Sequence, residues 1–114
     1  MREERRGFPR AQVSLPVMLT LGTGPAVRAL TADVSGGGML LTTSPLALNA
    51  VVEFALEIDP SEAPITGRAR AVREHAHTQQ ALAFEHVSLA SHMRLMQFID
   101  GAQHAAALRG IRHQ

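Results

Sequence analysis

The 114-residue chain has no cysteine, no tryptophan, no tyrosine and no lysine. Without cysteine there is neither a disulfide framework nor thiolate chemistry, and a cytoplasmic setting is the expected one. With phenylalanine as its only aromatic, at four positions, the chain is poorly supplied for stacking bases, so a single-stranded nucleic acid platform is not expected. No apolar run approaches the 18 or so residues that span a bilayer. The charged N-terminus has no apolar core of signal type, so no membrane insertion is expected. A dominant charge is also missing: 11 basic against 10 acidic residues leave a net charge of +1, too little for a strong overall field.

What is present is a hydrophobic content of 46%, which excludes wholesale disorder. It suits one domain that buries about two-thirds of its extended surface. All eleven basic residues are arginine, whose planar fork fits phosphates and guanine edges, although a GC-rich coding sequence gives the same bias. Four of them, Arg2, Arg5, Arg6 and Arg10, crowd the first ten positions.

Residues 1–10 are too polar for a core, and Gly7 and Pro9 discourage a helix through them. They read as a flexible arginine-rich arm. Val13, Leu15, Val17, Leu19 and Leu21 recur at period two within Ala11–Leu21, a half-buried strand, with Pro16 on the opposite phase. Gly22-Thr23-Gly24-Pro25 is a turn, and strands are expected over Ala26–Asp33 and Met39–Thr43. Val52, Phe54, Leu56 and Ile58 alternate inward against Glu53 and Glu57. Ile65–Glu74 and Leu82–Phe84 complete six strands around a loop at His75–Gln80. The period then changes. Ser88 or Ser91 can cap a helix in which Leu95, Phe98, Ile99, Ala102 and Ala106 share a face, with Gly101 a point of interruption. The expected fold is all-β dominated: a six-stranded antiparallel barrel with one C-terminal α-helix over residues 11–108, and a frayed tail at 109–114.

Two stretches carry candidate chemistry. Arg6 and Arg10, with Arg5 beside them, stand on the arm. Asp33 and Ser35, two apart on one face of an extended segment, run into Gly36, Gly37 and Gly38. Arginine pairs bidentately with phosphate oxygens and with O6 and N7 of guanine. A carboxylate accepts the protons of guanine's opposite edge, and a glycine turn offers backbone amides and close approach. Together these groups suit a guanine nucleotide. Each segment also has a plainer reading, a solvated tail and a tight turn respectively.

The order Arg6-x-x-x-Arg10, an interval of 22 residues, then Asp33-x-Ser35-x-x-Gly38 resembles the paired signature of the PilZ domain. That family comprises bacterial receptors for cyclic di-GMP, built on a six-stranded barrel with a C-terminal helix. The resemblance covers nearly the whole chain, including Glu4-Arg5-Arg6-x-x-Pro9-Arg10, Gly67–Arg73 and Leu82-Ala83-Phe84. It implies that Arg6 and Arg10 hold guanine bases and phosphates, that Asp33 and Ser35 bond a guanine, and that Gly38 keeps the turn open. Arg5 resembles the residue of members that take up two intercalated ligand molecules.

The implied role is a single-domain receptor whose arm orders on binding cyclic di-GMP and signals to a downstream protein, in motility or biofilm control. A ligand-independent adaptor for motility or secretion machinery and a small nucleic-acid-binding barrel are the alternatives. Neither catalysis nor a cofactor is expected: Ser35 has no nucleophile-elbow sequence. No metal is expected either, since His75 and His77 have only Glu74 close by as a further ligand.

Overall fold

The computed structural model describes residues 9–44, 46–76 and 78–112, and the side chains of all of these except 73–76 and 109–112. The elements in chain order are β1 (Arg10–Ala11), β2 (Pro16–Leu21), β3 (Ala26–Ser35), β4 (Gly38–Thr42), β5 (Val51–Leu56), β6 (Ile65–Ala76), β7 (Gln79–Val87) and α1 (Leu89–Arg112). The strands pair in the order β3-β2-β5-β6-β7-β4, and β4 returns to β3. This is the expected closed, six-stranded antiparallel barrel with a C-terminal helix. Among the described residues, closure leaves no long strand edge free to pair with another chain. β1 is a two-residue addition that pairs with the end of β3, beyond the reach of β2.

Period-two patterning fills the interior. Val17 and Leu19 from β2, Met39 and Leu41 from β4, and Val52, Phe54 and Leu56 from β5 are all buried. Four residues of the expected inward set behave differently: Val13, Leu15 and Ile58 are only partly buried, and Leu21 is 53% exposed. Phe54 and Phe84 stack with ring centroids 5.1 Å apart. Opposite Phe54, a Cβ on Gly67 would lie 2.9 Å from the ring and 2.5 Å from the His86 carbonyl oxygen.

The strand expected from Ala11 to Leu21 is two strands, interrupted at residues 12–15. Thr31, 2% exposed, supplies the missing hydrogen bonds. Its amide donates to the Leu15 carbonyl at 3.0 Å. Its hydroxyl accepts the Leu15 amide at 2.8 Å and donates to the Val13 carbonyl. A hydroxyl thus replaces a rung of the sheet ladder, satisfying backbone groups that burial would otherwise penalise. Pro16, which has no N–H for a ladder, then opens β2.

The loop expected at His75–Gln80 is shorter, because β6 continues to Ala76 and β7 starts at Gln79. Gln80 is 1% exposed, and its Oε1 accepts the Leu46 amide at 2.7 Å, fastening the β4–β5 connection. α1 is capped by Ser88, whose Oγ accepts the Ser91 amide at 3.1 Å. Leu95 and Ile99 are fully buried, and Met96, Phe98 and Ala102 pack beside the core. The helix continues through Gly101, where nothing crowds the backbone, and on to Arg112, past the fraying point expected at Arg109. It lies against β1, β3 and β6.

Candidate functional site

Asp33 and Ser35 share the odd-numbered phase of Ala29 and Thr31, both of which are buried. An uninterrupted strand would point the Asp33 carboxylate into the barrel. A register shift between Thr31 and Asp33 in the β3–β4 pairing prevents this. Such a bulge reverses which residues face the core. Val34 enters the core, fully buried, while Asp33 and Ser35 face outward.

β1 then brings Arg10 to this spot. Arg10 lies opposite Ser35 and Ala11 opposite Val34, and directly opposed residues share a face of the sheet. Ala11 is buried and Arg10 is outside. The Arg10 Nη1 reaches Asp33 Oδ1 at 3.4 Å and Oδ2 at 3.5 Å. These distances are long for a hydrogen bond. The contact is an open ion pair, with the guanidinium 60% exposed and the carboxylate 15%. Arg10 therefore departs from the expectation that it belongs to a flexible arm: it is part of the sheet. The reason is Ala11, whose small side chain enters the core and takes Arg10 into register with Ser35. Arg5 and Arg6 lie outside the described residues.

The hairpin between β3 and β4 is tight. Ser35 Oγ accepts the Gly37 amide at 3.3 Å and donates to the Gly38 carbonyl at 3.3 Å. Gly38 opens β4 and meets a steric constraint from β7. A Cβ at this position would stand 2.2 Å from the Leu82 carbonyl oxygen, so β4 and β7 could not approach as they do.

Two helix side chains reach the same place. Gln103 Nε2 donates to the Arg10 carbonyl at 2.7 Å. His92 Nε2 lies 3.2 Å from the Gly36 carbonyl oxygen. Nothing local in the sequence marks either residue. Their one signal is spacing, since both fall on the stripe defined by Leu95 and Ile99.

Other charged groups are engaged elsewhere. Arg70 pairs with Glu85, and Arg68 lies 3.9 Å from the same carboxylate. A cleft of about 300 Å³ is lined by Ile58, Asp59, Glu62, Arg94, Gln97 and Phe98. There Arg94 donates to Glu62 at 3.0 Å and to the Ala63 carbonyl at 2.9 Å. The backbone amide of Ser61, and then its hydroxyl, bond the Asp59 carboxylate and hold it below its ordinary pKa. Among the described residues no cluster of histidine and carboxylate stands ready for a metal. His77 and the side chain of His75 lie outside them. Among the described residues, too, no helix is long and apolar enough to cross a membrane.

The family model described as PilZ domain matches residues 4–101. Among solved structures, the fold is similar to the Bacillus subtilis inhibitor of motility MotI/DgrA, with a TM-score of 0.74 and 16% identity over 87% of this chain and 51% of that one. It is similar to the PilZ domain of Escherichia coli YcgR with c-di-GMP, with a TM-score of 0.71 and 16% identity over 93% of this chain and 97% of that one. A longer YcgR chain in complex with c-di-GMP gives a TM-score of 0.74 and 18% identity, covering 96% of this chain and 51% of that one. The chain thus spans about half the length of MotI/DgrA and of the longer YcgR. At these identities the structural likeness speaks for the fold alone. Comparison with curated protein sequences gave no match. With a family match over most of its length and the closed barrel that goes with it, the chain belongs to the PilZ domain family.

Proposed function

We propose that this chain is a receptor for cyclic di-GMP. The observation that carries the reading is the meeting of the two half-motifs: Arg10 stands in register with Ser35 and against the Asp33 carboxylate. One outward-facing spot thus joins a cationic fork, an anionic acceptor and a hydroxyl beside a glycine hairpin. Family membership and the YcgR relatives named with c-di-GMP support the same ligand.

In this reading Arg10 leaves an open ion pair for a ligand phosphate or guanine. Exposed pairs are worth only about 0–1 kcal/mol, whereas a hydrogen bond to a charged group supplies roughly 1.5–3 kcal/mol. Exchange is therefore favourable. Asp33 and Ser35 take a guanine edge, and Gly38 acts indirectly by letting the hairpin seat on β7. Arg5 and Arg6 close over the ligand from the segment ahead of β1. The contacts of that segment with ligand supply the difference in affinity that any conformational response requires. The response passes to a downstream protein.

The test is displacement. Labelled cyclic di-GMP bound to the full chain is expected to be displaced by unlabelled cyclic di-GMP and not by GTP or cyclic di-AMP at equal concentration. Absence of retained label, or equal displacement by GTP, would remove the proposal. A ligand-independent adaptor would instead hold its protein partner equally well with Asp33→Ala and with added nucleotide.

A further inference from the structure

We propose that α1 is a positioning element of the nucleotide site, acting through Gln103 and His92; this rests on the receptor reading above. Gln103 bonds the backbone of Arg10, and His92 meets the backbone of Gly36 in the hairpin that follows Ser35. One helix thereby touches the backbone on both sides of the place where ligand would sit. The two residues are eleven apart, about three helical turns or 16 Å, so they lie on one stripe. Between them on that stripe are Leu95 and Ile99, both fully buried. Their burial fixes the rotation of the helix, and the polar contacts at either end follow from it.

The two contacts differ in what they secure. Gly36 belongs to a hairpin already held by its own ladder and by the Phe84 amide, which donates to Gly37 at 3.0 Å. β1 is only two residues long, so the Gln103 bond adds to the burial of Ala11 in keeping Arg10 in register with Ser35. Gln103 lies just beyond the family match, which ends at residue 101. Coupling between two sites is reciprocal. A partner that gripped α1 beyond Ala102, where His104 to Leu108 are exposed, would change nucleotide affinity by the same factor that nucleotide changes its own.

The test uses the full chain, with hydrogen exchange read over residues 10–12 and calorimetry with cyclic di-GMP. Gln103→Glu replaces the donor with an acceptor facing the Arg10 carbonyl. It is expected to raise exchange at residues 10–12 without changing β5, and to weaken binding roughly fivefold. Gln103→Arg, which keeps an N–H donor, is expected to restore both. In an Arg10→Ala background the Glu variant is expected to add little further loss, as groups acting in series do. His92→Leu is expected to weaken binding, and His92→Gln, which keeps a donor at the corresponding atom, to restore it.

Unchanged exchange at residues 10–12 in Gln103→Glu would overturn the inference. So would wild-type affinity in that variant despite raised exchange. A wild-type chain that binds no cyclic di-GMP, while Gln103→Glu still loosens β1, would overturn the receptor reading and leave the helix-to-β1 clamp standing.

Discussion

Replacing Arg10 with alanine is expected to lower cyclic di-GMP affinity by at least about tenfold, the effect of losing one charge-assisted hydrogen bond or more. The thermal midpoint is expected to move little. The guanidinium is 60% exposed and its contact with Asp33 is a 3.4 Å ion pair, the kind that contributes about 0–1 kcal/mol or nothing measurable. Alanine keeps the carbonyl that accepts from Gln103 and does not disturb Ala11 in the core. Binding and stability are therefore expected to separate at this position, because the side chain stands on the proposed ligand face and the backbone belongs to the sheet. Arg6→Ala is expected to act in the same direction on affinity. Calorimetric titration and a thermal melt of each variant check both halves of the expectation. Wild-type affinity in both variants would dismiss the arginine pair as the ligand's cationic partner.

Gly38→Ala is expected to do the opposite and to attack the fold first. The added Cβ would meet the Leu82 carbonyl oxygen at 2.2 Å and the Ala83 Cα at 3.3 Å. Backbone cannot swing aside as a side chain can, so β4 and β7 must separate. Overpacking of this kind costs about 1–3 kcal/mol and sometimes more, and the upper end applies here because both contacts are main chain. A lowered urea midpoint with nearly unchanged slope is the expected result. Ser35→Ala offers the comparison: it removes two long hydrogen bonds of 3.3 Å and is expected to cost much less stability. An unchanged midpoint in Gly38→Ala, with affinity alone reduced, would restore to Gly38 the role of an open turn.

Some parts of the molecule are written locally in the chain and others are not. Alternation at Val17 and Leu19 and at Val52, Phe54 and Leu56 disclosed strands, since each residue reports its own half-buried environment. Leu95 and Ile99 disclosed the helix for the same reason. The pairing of an arginine motif with an aspartate–serine–glycine motif disclosed the family. Features made by distant partners were not legible. Thr31 stands in for a rung of the ladder only because the chain breaks at residues 12–15, a fact that neither stretch states alone. The bulge that turns Asp33 outward leaves a faint trace, a change of phase between buried Thr31 and buried Val34. Gly38 looked like a turn residue because its collision is with β7, more than forty residues along the chain. Gln103 looked like one polar residue among several on an exposed helix end. Its partner is 93 positions away.

Arg10, Asp33 and the hairpin at residues 35–38 are proposed to form one site for cyclic di-GMP on the outer face of the barrel, beside α1. Chemical-shift mapping of the labelled chain during titration with cyclic di-GMP tests it directly. The expected result is perturbation of Arg10, Ala11 and Asp33 to Gly38, extending to His92 and Gln103, with the cleft at Asp59, Glu62 and Arg94 unaffected. Saturating ligand that leaves Asp33 to Gly38 unshifted, or that shifts only the Asp59–Arg94 cleft, would rule out this site.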